Sequence, residues 1–104
     1  MTQLKIKQLA NEYKIALGAE NIPVTSLYLF GSYAKGKQNQ NSDVDFCVVS
    51  KAFGKNDFKE MVRINQIAKL ISSDIEAFPV SEDDYKTQAN PFIAEAIKTG
   101  KRII

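Results

Sequence analysis

The chain has 104 residues, a formal net charge of +2, one cysteine and no histidine. The length fits one domain, residues 1–104, and the interspersed charges are too weak a bias to argue for DNA or RNA as the main partner. Without histidine there is no Ser-His-Asp triad, no histidine general base and no histidine zinc site, and the lone Cys47 cannot form an internal disulfide. No apolar run reaches the roughly 18 residues of a membrane span, and the first residues lack a signal-peptide core, so a cytoplasmic protein is expected.

Residues 3–18 predict an amphipathic helix, with Ile6, Leu9, Ala10, Tyr13 and Leu17 at helical spacing and Gly18 as its stop. Ser26–Phe30 reads as a first strand. Gly31-Ser32 is expected to turn and open a short helix, and 35–42 is a polar, glycine-containing loop. Val44–Ser50 is a second strand, nearly all apolar after Asp45, hence central and covered on both faces. Cys47 lies in that run and reads as a buried, inert thiol. Residues 57–72 predict a second long helix, capped by Asn56 or Asp57, with Phe58, Met61, Ile64, Ala68 and Ile71 along its buried side. A third strand is expected over 74–80, with Asp74, Glu76 and Phe78 in phase. Ser81-Glu-Asp-Asp resembles a capping box, and Asn90-Pro91 an N-cap and first-turn pair. Phe92, Ile93, Ala96 and Ile97 give the buried side of the last helix, which Gly100 ends. Ile103-Ile104 adds a short edge strand or packs as a tail. This order predicts an α/β fold with a small sheet.

The chemistry concentrates in two places. Side chains alternate along a strand, so Asp43 and Asp45 share one side while Val44 and Phe46 enter the core. Aspartate is depleted in strands and like charges on one face repel, so this pair asks for a cation. Mg²⁺ on a nucleotide's phosphates would serve. Gly31-Ser32 can cradle the same phosphates with its backbone amides, although for the dipeptide alone a Ser cap after a Gly turn is the commoner reading. Asp74 and Glu76 are in phase on another strand, and either would complete a three-carboxylate site. Lys35 and Lys37 are placed to neutralise phosphates. Tyr28, Phe30 and Tyr33 read as packing residues, with Tyr33 also a candidate for touching a nucleotide or partner. The run from Gly31 to Lys37 also fits G-x-x-x-x-G-K, but Gln38 stands where a P-loop needs a Ser or Thr hydroxyl for Mg²⁺.

Taken together these residues resemble the minimal nucleotidyltransferase (MNT) domain of the DNA polymerase β superfamily. The family motif places Gly-Ser about ten residues before Asp-x-Asp. Here Gly31-Ser32 and Asp43-Val44-Asp45 enclose ten residues, within the fuller patterns Gly31-Ser32-Tyr33-Ala34-Lys35-Gly36 and Ser42-Asp43-Val44-Asp45. The stretches 74–85 and 90–100 resemble the family's third strand and closing helix. The resemblance implies a small mixed β-sheet packed with helices, a polymerase β palm-like fold. It implies Mg²⁺ held by Asp43, Asp45 and Glu76, with Asp74 the alternative third carboxylate, and ATP held at Gly31, Ser32 and Lys35. Tyr33 stands where relatives often carry arginine, leaving Lys35 more of the phosphate charge. Small stand-alone MNT proteins often act as antitoxins to a HEPN-domain ribonuclease toxin, some by moving AMP from ATP to a toxin tyrosine. That activity is the expectation here, with no membrane and no direct nucleic-acid contact. A small-molecule nucleotidyltransferase of the aminoglycoside type and a non-catalytic MNT-fold antitoxin are the rivals.

Overall fold

The computed structural model describes residues 2–36 and 43–104. Helix α1 (Gln3–Ala19) starts where the Thr2 hydroxyl accepts the Lys5 backbone N–H. Strand β1 (Ser26–Phe30) follows, and β2 (Val44–Ser50) pairs antiparallel with it. Helix α2 (Asp57–Ile71) is capped by Asn56, and β3 (Ile75–Ser81) returns parallel to β2. Ser81 caps α3 (Glu82–Thr87), Asn90 caps α4 (Pro91–Thr99), and β4 (Lys101–Arg102) closes the sheet against β1. The strand order is β3-β2-β1-β4, so the apolar β2 is central as its composition requires. Among the described residues no helix is long and apolar enough to cross a membrane.

Alternation divides β2 between two cores. Val44, Phe46 and Val48 pack with Ile6, Leu9, Tyr13 and Leu17 of α1 and Ile64, Ile67 and Ala68 of α2. Cys47 and Val49 face the opposite way, with Tyr28, Val80 and, from α4, Ile93 and Ala96. Tyr13 joins the two long helices by donating its buried hydroxyl to the Ile64 carbonyl at 2.7 Å. Burial holds the Tyr13 pKa well above the ordinary tyrosine value.

The structure departs from the sequence expectations at several points. The buried stripe of α2 is Ile64, Ile67 and Ala68, while Phe58 is 77% exposed and Met61 also reaches solvent. The cause is Glu60, whose carboxylate accepts the backbone N–H groups of Gly54, Lys55 and Asn56. Glu60 therefore faces inward with Ile64, and Phe58, two residues earlier and about 200° around the helix, faces out. The helix expected after Gly31-Ser32 is a series of turns over residues 31–36, held by Lys35 N–H to Gly31 O at 3.2 Å. Positive φ at both Gly31 and Gly36 breaks helical continuity. Lys37, Gln38 and the rest of the expected loop to Ser42 lie outside the described residues. The third strand begins at Ile75, with Asp74 just before it accepting the Val44 N–H at 2.8 Å. Of the two readings of the C-terminus the tail holds: Ile103 and Ile104 bond to Leu27 and pack on the core, while the edge strand is Lys101–Arg102.

β3 is an edge strand, and side chains close its edge. The Asn65 amide accepts the Ala77 N–H at 2.9 Å and donates to the Ala77 carbonyl at 2.8 Å, as a neighbouring strand would. Lys69 donates to the Ile75 carbonyl, and Pro79 removes an N–H from the same strand. Replacing Asn65 with leucine leaves both Ala77 groups unpaired. It is expected to cost about 1–3 kcal/mol in urea denaturation and to add concentration-dependent association in size-exclusion chromatography.

Candidate active site

Strand register assembles the site. Asp45 pairs with Glu76 on β3 and with Phe30 on β1, which puts all three on one face of the sheet. Asp43 stands two residues before Asp45 on the same side. One carboxylate oxygen each from Asp43, Asp45 and Glu76 all lie within 4.8 Å of one another. Asp43 and Glu76 are exposed and Asp45 is half-buried. Asp74 is exposed and its carboxylate is not part of this cluster.

Three negative groups this close raise the energy of one another. Burial, then the charges of Glu76 and Asp43, push the Asp45 carboxyl up from 3.8 to about 6. An all-oxygen, all-carboxylate donor set suits a hard divalent cation such as Mg²⁺, which would relieve that repulsion.

Gly31 ends β1 in a turn with φ of +74°. A Cβ placed there would run into the Asp45 Oδ2, with the Asp45 carboxylate carbon at 3.3 Å. The glycine thus lets the backbone turn lie against the carboxylate. Ser32 follows, half-buried, and Lys35 is exposed on the same turn. Tyr33 is buried in the α1 side of the core, consistent with packing. Cys47 is fully buried, and burial followed by the Asp45 charge pushes its thiol up to about 12, so it is inert.

A model described as the nucleotidyltransferase domain matches residues 7–102. The chain belongs to that family. Protein adenylyltransferase MntA of Shewanella oneidensis is 31% identical over 98 residues, covering 92% of this chain and 66% of that relative. The chain thus spans slightly less than two thirds of the relative's length. A toxin–antitoxin crystallised with AMP-PNP is 27% identical, with a TM-score of 0.59 over 89% of this chain and 71% of that one. A Sulfolobus solfataricus protein assigned as a nucleotidyltransferase gives a TM-score of 0.62 at 23% identity, over 85% of this chain and 77% of its own, and shows the shared fold.

One feature of the face that carries the carboxylates escapes a reading of the sequence. Phe30, Phe78 and Phe92 meet beside the carboxylates, with ring centroids 5.4, 5.8 and 5.6 Å apart. Phe92 was expected on the buried side of α4 but is 49% exposed. The register of β1 on β2 sets Phe30 opposite Asp45, and no single-strand pattern contains that pairing.

Proposed function

We propose that this nucleotidyltransferase moves AMP from ATP, with Mg²⁺, to a hydroxyl of a partner protein, most specifically a tyrosine of a HEPN-domain toxin. The observation that carries the reading is the cluster of Asp43, Asp45 and Glu76 against the Gly31 turn in a chain of this family. The kinship to an adenylyltransferase and the likeness to a chain of a toxin–antitoxin crystallised with AMP-PNP support the nucleotide and the partner class.

Asp43, Asp45 and Glu76 would hold Mg²⁺, whose charge would neutralise the phosphates and favour the developing negative charge on transfer. The backbone amides of Gly31 and Ser32 bind phosphate oxygens, and Lys35 adds a positive charge from the same turn. The acceptor oxygen attacks the α-phosphorus, the bond from that phosphorus to the bridging oxygen breaks, and pyrophosphate leaves. Glu76, exposed in the cluster as the third carboxylate, takes the acceptor's proton. Asp43 and Glu76 are exposed, so water competes as acceptor until a partner covers the site. The isolated protein should therefore turn ATP over slowly and be strongly stimulated by its partner.

Incubation with ATP, Mg²⁺ and the genomic partner, followed by intact mass of both proteins, tests the reading. The partner should gain one or more AMP units. A partner silenced without any gain in mass would favour an antitoxin acting by contact alone. Glu76→Gln is expected to keep ATP binding and cut transfer by about 10²–10⁴-fold, the usual range for a general base. Asp74→Asn is expected to transfer normally. The reverse pattern would assign the third carboxylate to Asp74.

A further inference from the structure

The face that carries the carboxylates continues past them. Phe78 lies two residues after Glu76 on β3, about 7 Å along the strand on the same side. Phe92 meets Phe30 edge-on and Phe78 at a tilt, and its presentation is fixed by the first turn of α4. There Asn90 Oδ1 accepts the Phe92 N–H at 2.9 Å and Pro91 locks the preceding backbone.

Beyond the rings a cleft of about 430 Å³ opens between the start of α2, the edge of β3 and the start of α4. Met61, Phe78, Pro79 and Phe92 form apolar walls. The charged residues lining it are Asp57, Glu60 and Asp84, and no described lysine or arginine lines it. Glu60 stays ionised: burial alone would raise its pKa, but the N–H groups of Gly54, Lys55 and Asn56 and the nearby Lys55 charge hold it below the usual value.

Charge decides between occupants. A triphosphate or a nucleic acid would meet three like charges, whereas a basic polypeptide would meet opposite ones. Main-chain pairing is closed to it, because Asn65 occupies both Ala77 groups and Pro79 has no N–H. The occupant must enter by its side chains.

We propose that this cleft is the docking groove for the acceptor polypeptide. An aromatic or apolar side chain seats against Phe78 and Phe92, and basic residues flanking it pair with Asp57 and Asp84. Phe92 then sets acceptor choice. This rests on the protein-acceptor reading above.

The test uses two synthetic probes, a blocked tyrosine peptide flanked by arginines and the same peptide flanked by glutamates. Each is titrated by NMR into the full chain with Mg²⁺ and AMP-PNP, so the readout needs no transfer. The arginine peptide should bind at least tenfold tighter and shift residues around Phe78 and Phe92. Asp57→Lys/Asp84→Lys, both exposed positions, should remove that preference. Phe92→Ala should weaken both peptides about tenfold while AMP-PNP affinity stays within twofold. Equal binding of the two peptides, no binding of either, or shifts mapped elsewhere would overturn the groove. So would a Phe92→Ala variant that loses AMP-PNP and keeps the peptide, which would make the rings a seat for the base. Absence of AMP transfer to any partner, with the peptide results as expected, would instead remove the proposed reaction and leave the groove.

Discussion

Replacing Asp45 with asparagine is expected to abolish AMP transfer while making the metal-free protein more stable. The carboxylate lies centrally in the cluster and is the one whose ionisation the fold opposes, with its pKa raised to about 6 by burial, Glu76 and Asp43. For an acid whose folded pKa is raised, the folded state takes up the proton first as pH falls. Stability from this group therefore rises as pH drops through about 6 and levels off below the unfolded value near 3.8. At pH 7.5 the full penalty is present. The unscreened figure is about 3 kcal/mol, and because water reaches part of this half-buried group, screening reduces it to about 1 kcal/mol. Asp45→Asn should accordingly raise the melting temperature of the metal-free protein by about 4–8 °C at pH 7.5 and flatten its rise between pH 7 and 4. Mg²⁺ should stabilise the native chain at pH 7.5 and have little effect on the variant. Transfer should fall by about 10³-fold or more, the loss expected when several kcal/mol of charge stabilisation disappears. Calorimetry with and without Mg²⁺, alongside the mass assay, reads all of these. A variant that transfers normally, or one less stable than its parent, would refute the placement of Asp45.

The parts of this site that sequence makes legible are those set by a single strand or turn. The i, i+2 spacing puts Asp43 and Asp45 on one side whatever surrounds them, and the apolar run after Asp45 places β2 in the middle of the sheet. Local capping chemistry is equally readable: Asn56, Ser81 and Asn90 each cap the helix that follows them. What sequence leaves open is the register between strands. Asp74 and Glu76 are in phase, and only the pairing of Asp45 with Glu76 separates them. The same limit hides the juxtaposition of Phe30 with Asp45. The inward face of α2 is hidden for another reason, since a polar residue holds it: Glu60 is tied to the loop before the helix, so hydrophobicity alone points Phe58 the wrong way. The motif offers the glycine turn as a candidate phosphate cradle, and the structure gives Gly31 a reason of its own, close approach to Asp45.

That contact makes Gly31→Val the second large effect. Two costs fall on one substitution. A φ of +74° strains any L side chain by about 1–2 kcal/mol, and a β-branched one at least that much. The new Cβ also drives into the Asp45 carboxylate, the end of a side chain that can rotate away only by leaving its place beside Asp43 and Glu76. The strain alone leaves a small domain of ordinary stability folded. The collision displaces Asp45 from Asp43 and Glu76 and fills the turn that would face the phosphates. AMP-PNP affinity with Mg²⁺, measured by calorimetry, should fall by about 100-fold or more, equivalent to about 2.7 kcal/mol. Gly36→Ala separates the two costs. Its φ of +69° is equally left-handed, but no atom of the described residues lies within 4 Å of the added Cβ. It should lose about 1–2 kcal/mol of stability in urea and keep nucleotide affinity within a few fold. Gly31→Ala carries the same strain with the collision and should track Gly31→Val in binding. If Gly31→Ala and Gly36→Ala bind AMP-PNP alike, backbone strain alone explains the glycine, and the contact with Asp45 has no part in holding the nucleotide.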